Sequence, residues 1–260
     1  MDVGYIFAGL LVGLLVGLTG VGGGSLMTPL LVFLFAFKPA VAVGTDLLFA
    51  AITKTGGVWV HHGTHKSVDW RIVGLLATGS LPAALATLYV LGHFTKLGKE
   101  ITDLITVALG FALILTALAI IFRTQLQKFG RSTEEHQPDR FHHLQTPATI
   151  VVGLVLGVLV TLTSVGAGAL GTVALFLLYP RLPVIRIVGT DLAHAIPLTA
   201  IAGIGHWQLG NVDFVLLGSL LIGSLPGIYI GSHLSAKIPE KVLRPILATV
   251  LMLIGFKFVL

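Results

Sequence analysis

Four motifs occur twice in this chain, in the same order and 144 or 145 residues apart. Leu18-Thr19-Gly20-Val21-Gly22-Gly23-Gly24-Ser25-Leu26 returns as Leu162-Thr163-Ser164-Val165-Gly166-Ala167-Gly168-Ala169-Leu170, and Gly44-Thr45-Asp46-Leu47 returns as Gly189-Thr190-Asp191-Leu192. Val68-Asp69-Trp70 returns as Val212-Asp213-Phe214, and Gly79-Ser80-Leu81-Pro82 as Gly223-Ser224-Leu225-Pro226. A near-constant register across four motifs marks an internal duplication, so the fold must seat two similar units against each other.

The units are too apolar for water. Mean hydropathy is +0.98 and only 10% of residues are charged, a composition whose natural solvent is the bilayer. Apolar stretches run over residues 3–18, 25–37, 45–60, 70–91 and 101–122, and again over 148–163, 169–179, 187–206, 212–230 and 242–260. Several approach the roughly 20 residues that a spanning helix needs, but 25–37 and 169–179 are too short to cross about 30 Å. The expected fold is therefore an all-α polytopic membrane protein. It has two repeats of about five hydrophobic segments each, with short broken or re-entrant helices at the Gly-rich motifs. Residues 1–122 form the first repeat and 146–260 the second, joined by a polar connector over 123–145.

Loop charge sets the expected orientation. Threading the segments in order collects 11 basic residues on one side, among them Arg71, Arg123, Arg131, Arg181 and Arg186, and leaves four on the other, Lys38, Lys96, Lys99 and Lys257. The richer side, with the connector, is placed in the cytoplasm and both termini outside. An odd number of segments per half then turns the second unit upside down, giving inverted repeats about an axis in the membrane plane. The net charge of +5 is read as orienting charge beside lipid rather than as a nucleic-acid surface. The N-terminus has no basic run or small-residue cleavage pattern, so no removable signal is expected. The absence of cysteine excludes disulfides and thiolate metal sites. His61, His62 and His65 read as residues beside the membrane, and neither metal nor cofactor is assigned.

Chemistry concentrates in the repeated motifs. Gly22, Gly23 and Gly24 interrupt apolar segments, where backbone must be satisfied internally or line a wet cavity. Ser25 is placed as the N-cap of the short helix that follows, so its first amides and positive dipole end would face an anion. Gly166 and Gly168 carry the same pattern in the second half. Close helix packing would also use such glycines. Thr45 with Asp46, and Thr190 with Asp191, read either as caps of the next apolar helix or as intramembrane polar groups with a function. His194 shares the helix face of Asp191 and is a candidate proton partner. Lys54 lies near the middle of an apolar segment and is expected to meet a carboxylate, a cavity or an anionic solute. Its counterpart is Thr199, so any anion clamp is asymmetric. Asp69 and Asp213, each followed by an aromatic ring, read as helix caps.

The run Gly-Val-Gly-Gly-Gly-Ser-Leu-x-x-Pro at 20–29, the Val43-Gly44-Thr45 that follows, and the duplication resemble the TauE/SafE family of sulfite exporters, also called the four-TMS sulfur exporter family. Family members commonly have Ser after Gly-Thr, where this chain has Asp46 and Asp191. The resemblance implies a transporter in a bacterial or archaeal plasma membrane, carrying sulfite, a sulfonate such as sulfoacetate, or a related oxyanion. Its expected anion site comprises Gly22, Gly23, Gly24, Ser25, Thr45, Lys54, Gly166, Gly168 and Thr190, with Asp46, Asp191 and His194 for gating or proton coupling. A passive anion channel and an intramembrane aspartyl hydrolase are the competing readings. The expected partners are a small anion and the bilayer, and the sequence leaves room for a homo-oligomer.

Overall fold

The computed structural model describes residues 3–19, 24–65, 68–96, 101–136, 138–235 and 240–260. Among them ten helices follow in order: α1 (Val3–Thr19), α2 (Gly24–Phe35), α3 (Pro39–His65), α4 (Trp70–Lys96), α5 (Thr102–His136), α6 (Pro138–Thr163), α7 (Leu170–Leu178), α8 (Val184–Gln208), α9 (Phe214–Ser235) and α10 (Glu240–Val259). Five helices precede residue 137 and five follow it, as the duplication requires. Five helical stretches are long and apolar enough to cross a membrane: Trp70–Thr95, Thr102–Thr133, His143–Thr163, Val184–Gln208 and Phe214–Gly231. With 12 and 9 residues, α2 and α7 rise only about 18 and 14 Å, so neither can span alone.

Packing exchanges elements between the halves. α1 lies along α9, and its counterpart α6 lies along α4. α3 packs on α8 and α5 on α10, each helix meeting its own repeat. The contacts α2·α10 and α7·α5, and α3·α9 and α8·α4, complete the pattern. Every one of these contacts maps onto another, or onto itself, when the halves are swapped.

Small residues make the exchange possible. A Cβ on Gly79 would strike Ile150 O, and one on Gly223 would strike Ile6 O. Gly153 and Gly157 meet Leu76 O and Ser80 O as Gly9 and Gly13 meet Leu220 O and Ser224 O. Without a hydrophobic drive between helices in lipid, this backbone approach is how van der Waals contact is gained. On the α5·α10 pair, a Cβ on Gly110 would lie 2.9 Å from Gly255 O, and one on Gly255 would lie 3.0 Å from Gly110 O. The exchange relation therefore passes between those two glycines. Around them Leu109, Leu113, Leu251 and Ile254 form a core with Leu26 of α2 and Val165.

Asp69 and Asp213 cap as expected. Asp69 Oδ1 accepts from the amides of Arg71 and Ile72 at 3.2 and 3.4 Å, and Asp213 Oδ1 accepts from Val215 and Leu216, both at 2.9 Å. The Gly-Thr-Asp motifs do not. Pro39 opens α3 and Pro183 precedes α8, so both helices start several residues upstream and carry Thr45, Asp46, Thr190 and Asp191 in their interiors. Residues 123–145, expected as a connector, are nearly all helical in the described structure: α5 runs on to His136 and α6 begins at Pro138. That helical extension has work to do at the end of α7. Arg131 Nε donates to Pro180 O at 3.2 Å, Gln145 Nε2 to Leu178 O at 2.6 Å, and the Arg123 guanidinium sits 4.3 Å over the Phe176 ring. The bond to Leu178 O supplies a partner for a carbonyl that the end of a short helix leaves open, and the bond to Pro180 O fixes the turn that follows it.

Candidate functional site

The second Gly motif forms a non-helical break between α6 and α7. Ser164, Gly166 and Gly168 have φ of 57°, 119° and 121°. The last two values lie where a side chain is strained, which accounts for glycine at both positions. Thr163 Oγ1 accepts from the Val165 amide at 3.1 Å, and the Gly171 amide reaches back to Gly166 O at 3.1 Å, so the turn is held from within.

Into this break comes Lys54 from α3. Its Nζ donates to Ala167 O at 3.1 Å, between the two strained glycines, and the residue is only 6% exposed. Both Asp46 and Asp191 interact electrostatically with Lys54, yet neither carboxylate comes within 4 Å of its ammonium among the described residues. The lysine therefore sits in the field of two carboxylates without pairing with either. Thr199, at the matching position, turns back on its own helix and donates to Ala195 O at 2.8 Å.

The two aspartates are held alike. Thr28 Oγ1 donates to Asp46 Oδ2 at 2.7 Å, and Thr172 Oγ1, which also touches Gly168 O, lies 3.0 Å from Asp191 Oδ2. Both Oδ1 atoms are buried without a hydrogen-bond partner, an expensive arrangement for a carboxylate away from water. Gly171 makes room for one of them, since a Cβ there would collide with Asp191 Oδ1. The buried Ser164 hydroxyl neighbours Asp46.

Thr45 and Thr190 serve a different contact. Thr45 Oγ1 accepts the Asp213 amide at 3.1 Å, and Thr190 Oγ1 accepts the Asp69 amide at 2.9 Å. Each repeat thus tethers the α3-type helix of one half to the cap of the α4-type helix in the other. Arg186 adds an ion pair to Asp69 at 3.2 Å, and Asp213 has no such pair among the described residues. His194 does not bond Asp191. Its Nε2 meets Ser80 Oγ at 2.8 Å on α4, and its Nδ1 is buried and unpartnered.

Gly22 and Gly23 lie outside the described residues, and for Gly24 and Ser25 only the backbone at the start of α2 is described. Three polar residues escaped the sequence reading. Thr28 and Thr172 are ordinary threonines in apolar helices, and only their 144-residue spacing marks them. His206, the counterpart of His61, is fully buried, with Nε2 donating to Thr161 O at 2.9 Å.

A duplicated bundle of long apolar helices around a buried lysine, two carboxylates and a strained glycine turn is the architecture of a multi-pass membrane transporter. The family profile described as sulfite exporter TauE/SafE matches residues 5–258, and the chain belongs to that family. It is 40% identical over 263 residues, covering all of both chains, to "Probable membrane transporter protein YjnA" of Bacillus subtilis. Identity is 27% over 240 residues to YdhB of the same organism, with 90% of each chain covered. A probable membrane transporter protein of Methanocaldococcus jannaschii is 25% identical over 265 residues, covering 96% of this chain and 92% of its own. No solved structure matches the chain.

Proposed function

We propose that this protein exports a small sulfur-containing oxyanion, sulfite or a sulfonate such as sulfoacetate, by alternating access at a site between its repeats. The observation that carries the reading is Lys54 Nζ within the Gly166–Gly168 turn, 3.1 Å from Ala167 O. An ammonium whose buried partner is a neutral carbonyl can exchange that partner for an oxyanion. Gly22, Gly23, Gly24 and Ser25 would furnish the matching surface from the first half. The family name supports the sulfur oxyanion class.

An odd number of crossings per half, whether five segments or three spans with a re-entrant pair, leaves the chain on the opposite face, and on that count the repeats are inverted. With the basic connector in the cytoplasm of a plasma membrane, an inside-negative potential drives each negative charge outward by about 2.3 kcal/mol per 100 mV. Export of a divalent anion then needs no coupled ion. Two carboxylates against one lysine give the site one uncompensated negative charge when both are ionised. Proton uptake by Asp46 or Asp191, with His194 nearby on α8, would lower the repulsion that an incoming anion meets.

Flux into proteoliposomes tests the reading. Saturable exchange of sulfite or sulfonate, competed by the unlabelled anion, supports it. Unsaturable conductance would replace the transporter with a channel, and cleavage of a reporter peptide without flux would replace it with a hydrolase.

A further inference from the structure

Two fully buried histidines lie on α8, and each leaves Nδ1 without a hydrogen-bond partner among the described residues. A neutral imidazole has one donor nitrogen and one acceptor, and the two rings use them differently. His206 Nε2 faces the Thr161 carbonyl at 2.9 Å and must donate, which leaves Nδ1 as a lone pair. His194 Nε2 faces a hydroxyl, Ser80 Oγ on α4, at 2.8 Å, and there the proton count decides. If Nε2 donated, the Ser80 proton and the Nδ1 lone pair would both be buried without partners. If Ser80 donates, only the Nδ1–H is left over, and the arrangement with fewer orphans is the stable one. Ser224, the counterpart of Ser80, turns its hydroxyl to Leu221 O of its own helix at 3.3 Å, whereas Ser80 reaches across to His194.

The spare donor lies beside the ammonium of the anion site. His194 is within electrostatic reach of Lys54. Ala167, whose carbonyl receives Lys54 Nζ, shares one core cluster with Ala195 on α8 and Ala84 on α4, the first adjacent to His194 and the second one turn from Ser80. We propose that His194 Nδ1–H is a second anchor for the transported anion, supplied by the second repeat as Lys54 is by the first, with Ser80 as the positioning residue that fixes the donating tautomer. The inference rests on the anion-transport reading above. Phe49 occupies the position matching His194, as Thr199 matches Lys54, so each repeat contributes one anchor from a different level of its helix. A helical histidine has a nearer outlet for this proton: His233 Nδ1 donates to Tyr229 O, one turn back, at 2.9 Å. His194 does not take the equivalent route to Thr190 O, and a buried N–H with no acceptor costs about 1–3 kcal/mol. An anion oxygen would remove that cost.

Magnetic resonance of the full-length protein in lipid, with its histidine nitrogens isotopically labelled, reads the tautomer directly. The His194 signals are those that Ser80→Ala moves, and in the unsubstituted protein they should show Nδ1 protonated and Nε2 bare. An Nε2–H form would overturn the proposal. Sulfite or sulfoacetate should shift the Nδ1 signal and saturate. Exchange kinetics add a split that a merely structural role would not produce, because an Asn amide N–H falls near the Nδ1 position and a Gln amide near Nε2. His194→Gln should raise KM about tenfold with the maximal rate little changed, and His194→Asn only about threefold. Equal KM values for the two would count against the anchor. Should neither variant insert, the spectra of the unsubstituted protein and of Ser80→Ala decide. If acetate shifts Nδ1 and the sulfur anions do not, the donor stands and the sulfur cargo falls. If no anion shifts it while Lys54→Ala still lowers sulfite exchange, the donor falls and the cargo stands.

Discussion

Lys54 on α3 donates to the carbonyl of Ala167, a bond that carries the charge of one repeat into the broken turn of the other. The matching Thr199 spends its hydroxyl on its own helix. The two repeats thus place a polar side chain at the same position, and only the first of them carries a charge.

Removing the ammonium should therefore be felt at once. Lys54→Ala is expected to lower saturable sulfite or sulfonate exchange at least about tenfold, a loss of about 1.4 kcal/mol in anion affinity. Lys54→Arg should retain part of it, and His142→Ala none of the loss. Proteoliposome uptake at several anion concentrations measures this, and unchanged uptake by correctly inserted Lys54→Ala protein would take Lys54 out of the site.

The carboxylates carry the opposite sign. Asp46→Asn keeps an acceptor for Thr28 but deletes a negative charge, and a unit charge some 8 Å away at an effective dielectric near 20 is worth about 2 kcal/mol. Anion affinity should rise by about tenfold or more, while the response of flux to an imposed pH gradient weakens. Isothermal titration and gradient-driven flux read the two effects separately. Weaker binding in Asp46→Asn would show that the carboxylate supports the anion site instead of opposing it.

Glycines at the exchanged helix pairs and glycines facing outward should part company. Gly79→Val and Gly223→Val push a side chain into Ile150 O and Ile6 O, whereas Gly74 has nothing within 4 Å of its added Cβ. The first two should abolish monodisperse protein on gel filtration. Gly74→Ala should be neutral or stabilising by up to about 1 kcal/mol from helix propensity.

Thr45→Val and Thr190→Val each strand one amide, that of Asp213 and that of Asp69. Each should lower unfolding stability by about 1–3 kcal/mol, seen as reduced melting temperatures in detergent. Thr190→Val should lose less, because the Arg186–Asp69 ion pair still joins α8 to the same cap. Equal and negligible shifts would mean these contacts do not hold the halves together.

Most of the architecture could be read before any coordinates, because a 144-residue echo and the length of each apolar stretch are properties of sequence alone. The short helices fell within two residues of where the apolar stretches put them. The positions of Thr45 and Thr190 were harder. Both motifs look like caps locally, and only the prolines upstream, at 39 and 183, show that the helices have already begun. The helical run through 123–145 was hidden because its polar composition reads as loop, while its order comes partly from tertiary contacts with the end of α7. The Thr28 and Thr172 partners of the aspartates depend on which helix faces which, and a lone threonine in an apolar helix does not announce that.

The pairing of α1 with α9 and of α4 with α6 has a consequence for how the molecule comes into being. During synthesis α1 must wait in the lipid for a helix made some two hundred residues later, so neither half can finish folding by itself. A single ancestral copy would have needed a twin to complete its bundle. Severed within 123–145 and produced as separate polypeptides, the present halves should find each other and restore the whole.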